Sequence, residues 1–463
     1  MKKILALAVA LLLAVTCFAA CTPAATTSAA ATSAAATKAA ATTAAATQAA
    51  ATTAAATQAA ATSASTTNAA TTASNTVHEI YKLMPQLSLA GIVDPNQQDR
   101  ASLDKAWPKT PKDSKKIVIG WSEINQSSDW FVTVKTSAEA EAKKYGYTLD
   151  FLVANDDTQK QSEAIDTFIT KGVDIIVVDP VNSSAPVEDI NRAVKAGIPV
   201  LCTGAVPEDC AALTTLCSNT FMNGFETGKY AASKFTADEE INATMLVGVM
   251  GSSCTESRLC GAVAGILSAR MEAKGKAYSC DEDAWLAGYN MFKEIKSAGK
   301  SSNADAGFTV SGYGTGSWTV EGGLAAAEDL CTANANMNLM IAENDFMAAG
   351  GIKALKSAGM EKVKVMAVAD GTTAGLELIK QGSLLCTGLN SGEEQGKWAI
   401  DFINAIFEGG KDPSDLPLGS YFTAGVISSE NVDQYYDANS LFYKAKDFTF
   451  PQTIPEIKAA SGK

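Results

Sequence analysis

The sequence predicts an α/β protein of two doubly wound, parallel-sheet lobes with a hinge between them. Three observations carry that expectation. Short apolar runs rich in Val and Ile recur along the chain, amphipathic helical stretches separate them, and the alternation passes through twice. Strands buried on both faces read as near-continuous apolar runs, and parallel neighbours need a long crossover between them, usually a helix.

The first set of strands is IVIGWS (117–122), YTLDFLVA (147–154), VDIIVVDP (173–180) and IPVLCTG (198–204). The second is TMLVGVMG (244–251), LMIAEND (339–345), VKVMAVADG (363–371) and SLLCTGLN (383–390). Helical stretches lie between, at Val132–Lys144, Thr158–Thr170, Pro186–Ala196, Gly224–Phe235 and Phe346–Ser357. Gly146, Gly172 and Gly197 fall where helices need left-handed C-terminal caps. Four βα units precede residue 222 and four more follow to 390, which predicts two lobes with a cleft. Ligands of open α/β sheets sit beyond the carboxyl ends of the strands, so the residues ending each strand are the informative ones.

Ahead of the lobes, MKKILALAVALLLAVTCFAAC places two lysines before an apolar run too short to span a bilayer. The ending Phe18-Ala19-Ala20-Cys21 resembles a lipobox, so residues 1–21 are expected to be a signal peptide delivering a lipidated Cys21. Residues 22–78 read as a tether: 41–50 and 51–60 are the same ten letters, ATTAAATQAA, with no large side chain to bury between repeats. Random-coil scaling gives it a reach of about 40 Å. The remaining divisions are expected at 79–114 (N-terminal extension), 115–222 with 391–422 (first lobe), 223–390 with 423–445 (second lobe), and 446–463 (tail).

Fifty acidic against 37 basic residues leave a net charge of −13. That argues against nucleic acid, where Lys and Arg supply the binding energy by releasing counterions, and against electrostatic docking on anionic lipid. A single histidine, His78, rules out a His-Asp-Ser relay within the lobes and any poly-His metal cage. Eight cysteines remain beyond Cys21. Cys202, Cys331 and Cys386 lie in apolar surroundings, and an exported chain leaves open a bridge among Cys202, Cys210 and Cys217, or from Cys254 to Cys260. None has C-x-x-C zinc spacing.

From about Lys116 to Val426 the chain resembles the ribose- and galactose-type periplasmic binding proteins, the solute receptors of ABC sugar importers. The resemblance runs in order through IVIGWSEINQSSDWF, KKYGY, ITKGVDIIVVDPVNSSA, AVKAGIPV, IAENDFMAAGGIKALKSAG and VADGTTAGLELIKQGSLLCTGLN. It implies the type I architecture and a sugar-like ligand. A sugar has apolar C–H faces and a rim of hydroxyls, so it calls for aromatic plates and for polar side chains at its edges. Trp130 and Phe131 match the family's first aromatic position, with Ser122 and Asp129 as polar candidates flanking the same loop. Trp318, after the glycine-rich 312–316 stretch, falls where the opposite lobe's aromatic stands. Asn344 matches the family's binding Asn, while Asp345 reads as a helix N-cap. Asp370 matches the sugar-binding Asp, and Asn390 stands where Gln or Asn is usual.

Two departures bear on the ligand. The family's Asp-Arg pair is Gly204-Ala205 here. Arg258 matches an arginine that is usually structural, and the ligand-binding arginine would fall at Glu256. A pocket short of guanidinium groups and holding an extra carboxylate would suit a polyol, an amino-sugar or a cationic small molecule better than a sugar. Asp281-Glu282-Asp283 reads as solvated surface and lacks the pattern of a calcium loop.

The implied function is an extracytoplasmic solute-binding lipoprotein, not an enzyme, lipid-anchored to the bacterial cell membrane. It would be monomeric, without cofactor or metal, and would hand a small ligand to an ABC permease. The alternative is a surface sensor that presents its bound state to a chemotaxis or kinase receptor.

Overall fold

A run such as Ile175–Val178 buries every one of its side chains, which requires helices on both faces of its sheet. The computed structural model describes residues 77–97, 100 and 117–460 and shows that arrangement twice. The readings of the leader, Cys21 and the tether, and of the extension at 98–99 and 101–114, lie outside the described residues.

The strands, in chain order, begin with β1 (Val118–Glu123), β2 (Thr148–Val153), β3 (Ile175–Val178), β4 (Val200–Thr203) and β5 (Thr215–Cys217). There follow β6 (Ile241–Val247), β7 (Ser301–Asn303), β8 (Phe308–Thr315), β9 (Leu339–Ala342) and β10 (Lys364–Ala367). The last three are β11 (Cys386–Gly388), β12 (Gly419–Tyr421) and β13 (Val426–Ser428). The first lobe's sheet has the order β12-β5-β4-β3-β1-β2, parallel throughout. The second has the order β10-β9-β6-β8-β7, with only β7 antiparallel.

Two elements differ from expectation. The 383–390 run does not extend the parallel sheet; its β11 pairs antiparallel with β13. The glycine-rich stretch is largely strand β8, and Gly314 lets helix Val320–Ala333 approach until an added Cβ would stand 2.9 Å from Ala326 Cβ. Helix packing in the second lobe is closer still. At Gly261 and Gly265 of helix Ser253–Ala273, an added Cβ would lie 2.0 Å from the carbonyls of Phe221 and Phe225 on helix Thr220–Ala232.

The described residues of the N-terminal extension are packed on the lobes. Ile80, Leu89 and Ile92 are buried in the second lobe's core. The acidic run, expected as solvated surface, opens helix Asp281–Ala298 and receives the extension: Tyr81 donates to Glu282 at 3.0 Å and His78 Nε2 lies 3.1 Å from Asp283. Further on, Arg100 is buried against the first lobe. It donates to the carbonyls of Cys210 (2.8 Å), Ala212 (2.9 Å), Leu213 (3.2 Å) and Leu416 (3.4 Å). Charge-assisted bonds of this kind are costly to remove. Arg100→Ala is expected to lower the unfolding free energy by about 2–3 kcal/mol, read as an earlier denaturant midpoint. An unchanged midpoint would show the anchor to be dispensable.

All eight described cysteines are free, and neither bridge left open by the sequence forms.

Candidate functional site

The carboxyl ends of strands from both sheets face one cavity of about 480 Å³. Ile124, Ser128, Trp130, Phe131, Asp156, Asp179 and Gly204 line it from the first lobe; Met250, Arg258, Trp318, Asn344, Phe346 and Asp370 line it from the second. Asn390 borders it where the chain passes from β11 to helix Gly392–Phe407.

The second-lobe wall is a connected polar network. Arg258, on helix Ser253–Ala273, is buried with Nη1 3.4 Å from Glu343 Oε1 and Nη2 3.6 Å from Asp370 Oδ1. Glu343 also accepts from Trp318 Nε1 (2.7 Å), Thr255 Oγ1 (3.0 Å) and Gly248 N (2.6 Å). Asp370 accepts from Asn390 Nδ2 (2.6 Å) and Asn344 Nδ2 (3.3 Å). Burial pushes both carboxyls above the ordinary range, and Arg258 opposes that shift. Asn344, not Asp345, caps helix Asp345–Ser357, accepting from Met347 N at 3.0 Å. Asp345 is taken up by Thr372 and Thr387 instead.

The two tryptophans are held by their indole N–H groups. Trp318 sits with φ 59° after Ser317 at φ 49°, left-handed conformations that cost a bulky side chain free energy, and its bond to Glu343 fixes the ring. Trp130 Nε1 donates to Asn390 O at 3.0 Å, so an aromatic of the first lobe is tied to the crossover. Beneath it Asn223 donates to Leu389 O (2.6 Å) and accepts from Gly425 N (3.1 Å), joining the three crossing strands of chain.

The first-lobe wall holds a carboxyl pair. Asp179 directly follows β3, and an added Cβ at Gly204 would lie 2.5 Å from its Oδ1, so the bare backbone at 204 makes room for that carboxylate. Glu123, fully buried, hydrogen-bonds Asp179 and accepts from Trp121 Nε1 and Ile124 N, each at 3.1 Å. Burial, then the neighbouring charge of Asp179, holds the Glu123 carboxyl well above its usual range; burial raises Asp179 too. The folded pair therefore keeps a proton that the unfolded chain, with carboxyls near pH 4, has released. Unfolded protein then binds fewer protons, so stability falls as pH rises from about 4 into the neutral range. Glu123→Gln, which keeps a donor and cannot ionise, is expected to flatten that decline when denaturant midpoints are compared at pH 5 and pH 8. A variant as pH-sensitive as the parent would show that the pair does not share a proton.

Of the residues singled out from sequence, the cavity brings together Trp130, Phe131, Trp318, Asn344, Asp370 and Asn390. Three stand elsewhere. Ser122 is fully buried in β1 behind the lining. Asp129 is exposed in the first turn of helix Asp129–Tyr145 and is not part of the lining. Glu256 accepts from Ser88 Oγ (2.8 Å) and Gly251 N (3.1 Å) and pairs with Lys296, on the side of the second lobe that holds the extension. Position 258 lies about 200° further round the helix and turns Arg258, read from sequence as structural, to the cavity, so one guanidinium lines it although Gly204, Ala205 and position 256 supply none. Sequence reasoning also passed over Asp179, although it ends an apolar strand run and so carried the signal used for Asp370. Glu343 sat one residue before Asn344 at another such end.

A sequence-family profile described as "Periplasmic binding protein domain" matches residues 119–412. Over 307 residues the chain is 24% identical to the ribose import binding protein of Escherichia coli (strain K12), covering 66% of this chain and 89% of that one. Over 322 residues it is 23% identical to the xylitol-binding protein of Mycolicibacterium smegmatis, covering 69% and 79%. Among solved structures, an ABC transporter solute binding protein from Mycobacterium smegmatis with bound glycerol aligns at TM-score 0.56 and 21% identity, over 71% of this chain and all of that one. One from Bacillus halodurans C-125 with bound myo-inositol aligns at TM-score 0.55 and 22% identity, over 70% and 98%.

Proposed function

Because the chain belongs to the periplasmic binding protein family, a family of binding proteins and not of enzymes, we propose that it captures a small sugar or polyol between its lobes and delivers it to an ABC permease. One observation carries this reading: the Asp370–Arg258–Asn344–Asn390 network and the indoles of Trp130 and Trp318 border the same cavity. Carboxylate, guanidinium and amide groups accept from and donate to vicinal hydroxyls, while an indole face covers apolar C–H.

The topology supports hinge closure. The chain crosses between sheets near residues 217–223, 388–392 and 421–426, and Asn223 ties the three together. A ligand touching both walls favours the closed arrangement by no more than its extra affinity for it. Among the described residues the lining carries Asp156, Asp179 and Asp370 against Arg258, an acidic balance that suits neutral or amino-substituted polyhydroxy compounds and repels acidic ones.

A thermal-shift panel of sugars, polyols, amino-sugars and sugar acids tests the reading. A ligand bound at 1,000 times its Kd stabilises the fold by about 4 kcal/mol. At least one neutral polyhydroxy compound is expected to raise Tm; a response confined to sugar acids, or to none of the panel, would overturn it. We also place the protein on the outer face of the membrane, anchored through Cys21. Cys21→Ser should release it into the medium, and retention of that variant on cells would argue against a lipid anchor.

A further inference from the structure

We propose that His78, Cys280 and Asp283 form a binding site for a borderline-soft divalent cation, zinc by its donor set, that fastens the start of the N-terminal extension to the second lobe. The three come from two segments about two hundred residues apart in sequence. Their donor atoms lie within 4.8 Å of one another, and His78 Nε2 and Asp283 Oδ1 are already at 3.1 Å.

The local structure presets the cluster. Cys280 is the N-cap of helix Asp281–Ala298 and Asp283 is the third residue of its first turn. Side chains at those two positions face each other, the relation that a capping box exploits. His78 is itself the N-cap of the short helix Glu79–Lys82, which Ile80 seats in the lobe's core, so the imidazole is delivered by a buried anchor. Tyr81 donates to Glu282 at 3.0 Å and steadies the same contact.

Donor chemistry selects the ion. A nitrogen, a thiolate and a carboxylate suit zinc, whose bonds of roughly 2.0–2.3 Å put neighbouring ligands about 3.3–3.8 Å apart. Side-chain rotation of about 1 Å closes the difference, and Cys280 is exposed while His78 and Asp283 are only half-buried. Calcium and magnesium prefer oxygen donors throughout. Water completes the coordination at this open face.

The proton balance is defined. His78 Nδ1 now accepts from Ile80 N at 3.2 Å, which leaves the ring proton on Nε2, towards Asp283. Metal binding at Nε2 moves that proton to Nδ1, surrendering the cap bond, and the Cys280 thiol gives up its proton to solvent. One proton is released per metal bound, so affinity should rise with pH.

The test is a zinc titration of the purified, reduced protein against a chromophoric chelator, repeated with cobalt to read thiolate-to-metal charge transfer. One equivalent is expected to bind, zinc should raise Tm, and the cobalt band should vanish in Cys280→Ser. His78→Ala and Asp283→Asn should each weaken binding at least about tenfold, with unchanged circular dichroism and an unchanged response to the best sugar or polyol. Failure to bind zinc at micromolar concentration would overturn the proposal. So would a stoichiometric site whose affinity and cobalt spectrum survive both Cys280→Ser and His78→Ala, since the metal would then sit elsewhere.

Discussion

Arg258→Ala is expected to be the most damaging single substitution in the cavity, weakening ligand binding at least about a hundredfold, or 2.7 kcal/mol. The guanidinium stands between Glu343 and Asp370 with almost no exposure of any of the three. Removing one member of a buried ionic network leaves the others uncompensated and typically costs about 3–5 kcal/mol of stability. Both carboxyls can retreat by taking up protons, because burial has already raised them and only Arg258 and neutral donors hold them down. A carboxyl whose folded value is raised contributes stability at low pH and loses it as pH climbs through that value. The destabilisation should therefore be larger at pH 8 than at pH 5, in denaturant unfolding of the variant beside the parent. Arg258→Lys restores the charge without the planar fork, and should recover stability better than affinity. Equal loss at the two pH values would show that the carboxyls do not depend on Arg258 for their charge.

Trp318→Ala is expected to raise the Kd of the best sugar or polyol at least about tenfold, or 1.4 kcal/mol. The indole is both a lining face and the donor nearest to Glu343 after Gly248, at 2.7 Å. Truncation opens the wall and leaves a buried acceptor short of a partner. Trp318→Phe separates the two roles: it keeps an aromatic plate, loses the N–H, and should fall between parent and Ala variant in affinity. Calorimetric titration of the three proteins reads the order directly. Parent-like affinity in a folded Ala variant would remove Trp318 from the site.

Most of the two-lobed layout was legible because β1, β3, β4, β6, β9 and β10 are buried on both faces, and burial on both faces leaves a nearly unbroken apolar run. Strand β8 was not, since Gly312 and Gly314 replace the branched side chains that mark a strand and read as a loop. The pairing of β11 with β13 is a tertiary choice that no local pattern encodes. At the site, Asn344 and Asp370 were readable from their strand ends, whereas Asp179 and Glu343 at equivalent ends were not, and the register of helix Ser253–Ala273 was not. Glu256 and Arg258 are two positions apart on one helix, and only the packing of that helix against Phe221 and Phe225 decides which one meets the cavity. Gly204 was read as a missing ligand contact; its significance lies in the neighbour it admits, Asp179. The docking of residues 80–92 on one lobe and Arg100 on the other depends on contacts more than a hundred residues distant, which leave no trace in spacing.

The most direct measurement is a crystal structure of the protein with the best neutral ligand from the panel. The expected result is a single molecule in the crevice, its hydroxyls within hydrogen-bonding distance of Asp370, Arg258 or Asn344, and its carbon face against Trp130 or Trp318. A ligand seated outside that space, or held by residues of one lobe alone, would contradict capture between the lobes.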